Sequence, residues 1–139
     1  MASVEKMSPE NLDQCAFFAD ALKTLLGDRK KVRVFSERPG IEVPIELERL
    51  SLRHIALRHL GLEGSAAGEF EVVMVLRQHP RENRFIAVPL FHRIGGELVE
   101  CNISVGGAEY DASLLGFCEH WFLLLQQVGF FTGKRQEVA

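Results

Sequence analysis

The 139-residue chain has three cysteines, five prolines, one tryptophan and one tyrosine, and each scarcity removes a class of protein. Cys15, Cys101 and Cys118 are odd in number and widely spaced, with no C-x-x-C pair. That excludes a disulfide-dense secreted scaffold and a zinc ribbon, both of which need paired or clustered thiols. No Pro-rich tract marks a linker and no tandem repeat recurs, so the chain reads as one domain, 1–139, with frayed ends at 1–7 and 133–139. The longest apolar runs, Trp121 to Leu125 among them, have five residues, against the roughly 20 that a membrane-spanning helix needs. Met1 to Met7 is polar and holds no apolar signal core. Neither sign of charge dominates: 16 Lys and Arg face 19 Asp and Glu, for a net charge of −3 and a pI near 6.0. Dedicated binders of nucleic acid or anionic membranes are normally basic, so neither nucleic acid nor membrane insertion is expected. The expected location is cytoplasmic.

What the chain does have is apolar surface. Apolar residues make up 47% and charged residues 25%, enough burial to offset chain entropy in a globular fold. The first helix is announced by its ends. Ser8 suits the N-cap, Pro9 the first helical position and Glu10 the positive end of the dipole, while Gly27 supplies a stop. Between them Leu12, Cys15, Phe18, Leu22 and Leu25 recur at spacings of three and four, which predicts one apolar stripe. Val32 to Phe35 reads as a short strand, and Ile41 to Ile45 as a second, held to a sheet edge by Pro44. In Glu46 to Leu60, Leu47, Leu50, His54 and Leu57 fit a helical stripe ending at Gly61. The alternation Leu50-Ser51-Leu52 and Ile55-Ala56-Leu57 also fits a strand; the length without a turn signal favours helix.

Phe70 to Leu76 is rich in β-formers, and His79-Pro80-Arg81-Glu82-Asn83 is a polar turn into a strand from Arg84 to Ile94. Gly95-Gly96 then supplies a two-residue hairpin loop. Such a loop pairs Ile94 with Glu97, His92 with Val99 and Leu90 with Cys101. The return strand runs from Glu97 to Val105, which sets Ile86, Val88, Leu90, Val99, Cys101, Ile103 and Val105 on a core face and Phe85, Ala87, Phe91, Leu98, Asn102 and Ser104 on the other. A last helix runs from an Asp111 cap to about Val128. Its stripe is Leu114, Phe117, Cys118, Trp121, Leu125 and Val128, and Leu115, Phe122, Leu123 and Leu124 fall outside it. The fold class is therefore α+β, an antiparallel sheet with a three-stranded C-terminal meander and helices packed on it, in the order α-ββ-α-βββ-α.

Chemistry is sparser. His54 and His59 are five apart, and Cys118 and His120 two apart, so no ligand set converges and neither metal nor cofactor is expected. No G-x-S-x-G elbow exists, and the cysteines sit on apolar stripes, where a thiol acts as a small hydrophobe. The leaning is non-enzymatic, with no catalytic residue nominated. Arg77 and Arg81 form an R-x-x-x-R pair, and Asn102, Ser104 and Gly107 fit N-x-S-x-x-G; further R-x-x-x-R pairs are Arg29/Arg33 and Arg49/Arg53. Residues 77–107 thus resemble the signature of PilZ domains, bacterial β-barrels that bind cyclic di-GMP. The resemblance implies that Arg77 and Arg81 grip phosphate and guanine while Asn102, Ser104 and Gly107 border a cyclic dinucleotide. The element order, separately, is similar to that of roadblock domains, dimeric scaffolds that regulate GTPases, which implies a partner-binding module.

The leading expectation is a regulatory or adaptor module acting through protein–protein contacts, with itself as a homodimer and with an unidentified protein. A cyclic-dinucleotide sensor is the alternative, and a small apolar-ligand carrier, suggested by ten Phe, the third. The surplus apolar residues Phe85, Phe91, Leu115, Phe122 and Leu123 are the expected interface, because left exposed together they exceed the patch a soluble monomer tolerates.

Overall fold

The computed structural model describes residues 7–41, 43–59, 70–95, 97–101 and 112–138. Helix α1 spans Pro9–Leu26, with the Ser8 side chain accepting from the Asn11 N–H at its start and Gly27 at φ +61° after its end. Those are the ends the sequence predicts. Six strands then follow as one continuous meander: β1 (Lys31–Val34), β2 (Ile45–Arg49), β3 (His54–His59), β4 (Phe70–Gln78), β5 (Phe85–Ile94) and β6 (Glu97–Cys101). After α2 (Ala112–Gln127), β7 (Arg135–Glu137) returns to pair with β1. The sheet is antiparallel throughout, in spatial order β6-β5-β4-β3-β2-β1-β7. Among the described residues this is an α+β fold with two helices on an antiparallel sheet, and their order, α-ββββββ-α-β, replaces the one expected.

The main correction falls on residues 46–60. They form the β2–β3 hairpin, not a helix, with Ile45, Leu47 and Arg49 opposite His59, Leu57 and Ile55. The turn between them uses Ser51, whose hydroxyl accepts from the backbone N–H groups of Arg53 and His54, where the usual glycine or proline is missing. The expected strand from Ile41 begins only at Ile45, after Pro44, whose missing N–H could not join the ladder.

Alternation decides the faces. Val32 and Val34 of β1, Ile45 and Leu47 of β2, Ile55 and Leu57 of β3, and Val72 and Met74 of β4 are all buried, in one cluster with α1 and α2. Helix α1 has two apolar sides rather than one stripe. Alongside Leu12, Leu22 and Leu26 it buries Phe18, Ala21 and Leu25, and Phe18 meets Phe122 of α2 edge-on at 5.0 Å. Both helices therefore pack on the sheet and on each other, which covers Leu115 and Phe122 within the chain.

Two irregularities shift the β5 registers. Between Val73 and Met74 the partner in β5 jumps from Phe91 to Pro89, and between His92 and Arg93 the β5–β6 pairing slips by one. The hairpin closes as expected at Ile94–Glu97, with Gly95 at φ +59°. The slip then pairs His92 with Glu100, where Val99 is expected, and Cys101 with Phe91, where Leu90 is expected. A bulge of this kind leaves one residue unpaired and swaps the faces beyond it. The core-facing position expected for Cys101 concerns a side chain outside the described residues.

The C-terminal segment is also ordered. At the end of α2, Gly129 adopts φ +85°; its N–H bonds the Gln126 carbonyl, and the Phe130 N–H reaches the Leu125 carbonyl. This is the Schellman stop, sealed by burial of Phe130 and Leu125. It turns the chain back so that β7 lies beside β1, where fraying was expected; Met7 at the other end is buried in the core.

Gly133 is the tightest point of that return. A Cβ there would lie 1.6 Å from the Phe35 carbonyl oxygen, a backbone atom that cannot swing away. Gly133→Ala is expected to cost about 2–4 kcal/mol in urea unfolding. Gly116→Ala, exposed on α2 with nothing within 4 Å of the new methyl, should gain about 0.5–1 kcal/mol in the same measurement.

Candidate functional site

The face of the sheet away from the helices is charged. Cross-strand pairing sets Arg33 beside Glu46, Glu46 beside Arg58, Arg58 beside Glu71 and Glu71 beside Arg93. The side chains follow this register. Arg33 meets Glu46 at 3.0 Å, Lys31 meets it at 3.5 Å, and Arg58 reaches Glu46 at 3.4 Å, Glu48 at 2.8 Å and Glu71 at 2.7 Å. Arg93 continues the row to Glu71 at 3.5 Å, its guanidinium stacked over Phe91. Glu46, at 5% exposed, is nearly enclosed by this row. The Arg58 hydrogen bond is the main cause that holds the Glu48 carboxyl below its ordinary value. For Arg58 itself burial works against the charge, but its bonds to Glu71 and Glu48 outweigh that and raise its pKa. Every charge here has its partner, so the row offers structure rather than a vacancy for a ligand.

Between the helices lies a cleft of about 500 Å³. Phe17 of α1 and Leu123 of α2 form its apolar part, and Glu10, Asp13 and Glu119 are the charged residues of its lining, with Gln14 among them. Leu123 and its neighbour Leu124 remain exposed on α2. The spacing Glu10, Asp13, Phe17 on α1 and Glu119, Leu123 on α2 shows each half as a helical surface. Sequence reasoning missed the cleft because nothing in either stripe says that the two helices lie side by side.

A third cluster is aromatic, with His92 and Trp121 buried and Phe70 exposed at its edge. His92 of β5 stacks on Phe117 of α2 at 4.2 Å, and Phe70 and Trp121 complete the group. On β3, His59 lies edge-on to Phe130, and burial pushes its pKa down. Burial likewise pushes the Cys15 thiol up to about 12, so at neutral pH it is a protonated core side chain. No group of three His, Cys, Asp or Glu converges on a metal-sized site among the described residues.

The residues singled out from sequence separate. Arg77 lies at the end of β4 and Arg81 in the β4–β5 turn, whose backbone is fixed by the N–H groups of Arg81 and Glu82 donating to His79 Nδ1. Asn102, Ser104 and Gly107 lie outside the described residues. Of the five expected interface residues, Leu115 and Phe122 are buried inside the chain and are withdrawn from that set. Phe91 is half-buried beneath Arg93, while Phe85 and Leu123 are exposed on separate elements, β5 and α2. No family model, curated protein or solved structure matches the chain. Among the described residues no helix is long and apolar enough to cross a membrane.

The shifts of His59 and Glu48 have the same sign for stability. Each folded-state value lies below the ordinary one, 6.5 for His59 and 4.5 for Glu48. The unfolded chain therefore takes up protons first, and stability present above those values is lost as pH falls through the lowered ones. Urea unfolding from neutral pH down to about pH 3 should show both losses, the His59 step below 6.5 and the Glu48 step below 4.5. His59→Phe should abolish the first loss and keep the second; a variant retaining both would contradict the assignment.

Proposed function

We propose that the protein is a regulatory or adaptor module that works by protein–protein contact, with the α1–α2 cleft as the contact site. The observation that carries this reading is the cleft's composition among the described residues: an apolar part formed by Phe17 and Leu123, with three carboxylates and no cation. A helix whose apolar side chains fit such a floor and whose lysines or arginines reach the rim is the matching partner. A twofold copy seated here would set Glu10, Asp13 and Glu119 against themselves, so charge favours a cationic partner over self-pairing at this surface. Homodimerisation then falls to surface elsewhere.

The cyclic-dinucleotide reading keeps Arg77 and Arg81, which share one end of the sheet. It is the second reading; the cleft, built on both helices, supports the first.

A synthetic amphipathic helix of leucine and lysine tests the proposal by calorimetry. Binding is expected to weaken with salt and to fall about tenfold in Leu123→Glu, which removes one buried apolar contact, and in Glu119→Lys. Equal binding by wild type and both variants, or none by wild type, would reject the cleft as the site.

A further inference from the structure

The net charge of −3 conceals a strongly basic end. Because the meander is antiparallel, the α1–β1 connection, the β2–β3 turn and the β4–β5 turn all emerge at the same end of the sheet. Direct bonds tie them there: the Arg49 N–H donates to the Lys30 carbonyl at 2.7 Å, the Arg49 guanidinium to the Gly27 carbonyl at 3.1 Å, and the Leu76 N–H to the Arg53 carbonyl at 2.7 Å. The α1–β1 connection brings Arg29 and Lys30, the β2–β3 hairpin Arg49 and Arg53, and the β4–β5 hairpin Arg77, Arg81 and Arg84. That is seven of the chain's sixteen Lys and Arg; the acids at the same end are Asp28, Glu48, Glu82 and Glu137, of which Glu48 is paired with Arg58 and Glu82 with Arg84. All three R-x-x-x-R pairs contribute to it. Arg84 is held by Asp20 and Glu82, whereas the guanidinium groups of Arg53, Arg77 and Arg81 make no hydrogen bond or ion pair among the described residues.

The same end carries the two most exposed large apolar side chains, Leu52 at 86% and Phe85 at 61%, together with Leu50 at 48%. Both turns are fixed rather than loose. Leu50 and Ser51 N–H groups donate to the His54 carbonyl, and the Gln78 side-chain amide bonds the carbonyls of Glu82 and Arg84. Apolar tips are thus held outward in a ring of arginines.

We infer that this end docks the protein on an anionic membrane surface. Arginines supply the attraction to acidic headgroups, and Leu50, Leu52 and Phe85 supply the apolar contact at the acyl boundary; neither alone gives stable attachment. A nucleic acid fits less well, since base stacking wants several aromatic rings and this end offers one, with two leucines that bases do not recognise. The surface lies at the Gly27 end of α1, away from the cleft at Glu10 to Phe17, so the two readings stand independently.

Co-sedimentation of the full chain with vesicles tests it. Vesicles of phosphatidylcholine mixed with phosphatidylglycerol should carry the protein down, and phosphatidylcholine alone should not. Arg53→Glu/Arg81→Glu should lower the partition coefficient by about tenfold or more, from roughly one such factor for each pair of charges lost. Leu52→Ser should lower it several-fold, and Leu123→Glu should leave it unchanged. These positions are exposed, and circular dichroism checks that each variant is folded. Absence of wild-type binding to anionic vesicles, full binding by the double charge variant, or tighter binding to a single-stranded oligonucleotide than to the vesicles would each overturn the inference.

Discussion

The Arg58 guanidinium meets carboxylates from the strands on either side of its own, Glu46 and Glu48 on β2 and Glu71 on β4, at 2.7 to 3.4 Å. Three strands are tied by one side chain, and Arg33 and Arg93 extend the row to β1 and β5. Two helices can cover one face of a seven-stranded sheet, so the other face must be stable in water. The alternating charges achieve this, and they also fix the register. A slip of one residue in β2 or β3 would turn Ile45, Leu47 and Leu57 outward and drive Glu46 or Arg58 under the helices, where an unpaired charge is very costly. The row contributes specificity as much as stability, since part of its Coulomb gain offsets desolvation of Glu46 and Arg58.

With the register set, the helical face follows. Valines, isoleucines and leucines of β1 to β4 form its floor, and α1 crosses it with two apolar sides, one toward the sheet and one toward α2. The Phe18–Phe122 contact closes the seam between the helices. Nearer the start of α1 the seam opens into the acidic cleft, and the basic turns emerge toward the Gly27 end of that helix. An average over the whole chain cancels these two surfaces, which is why a net charge of −3 conceals a basic end that the topology assembles from three distant segments.

Some of this was legible in the sequence for definite reasons. Ser8, Pro9 and Gly27 each do at a helix end what no other position needs, and Gly95 supplies the positive φ of the hairpin turn. The β2–β3 hairpin was not legible because its turn, Leu50-Ser51-Leu52-Arg53, contains none of the usual breakers, and Leu47, Leu50, His54 and Leu57 imitate a helical period. The alternation Glu46, Glu48, Arg58 was the better guide, since charges at every second residue place an ion row on a strand face. Bulges at Val73/Met74 and His92/Arg93 leave no compositional mark, so the pairing near Cys101 was off by one. Strand β7 is three polar residues whose position comes from the Gly129 reversal, not from β propensity. Of the candidate site residues, Arg77 and Arg81 were visible as a motif. The leucines and arginines that join them from the β2–β3 turn become neighbours only through the meander.

The most direct measurement is a double-mutant cycle between Arg58 and Glu71, using Arg58→Met, Glu71→Gln and the pair in urea unfolding. If the row couples β3 to β4, the two single losses should exceed the loss in the pair, with a coupling energy of about 1–3 kcal/mol. Losses that add to within about 0.3 kcal/mol would mean that the charged row merely decorates a sheet held by its apolar face, and would contradict the account.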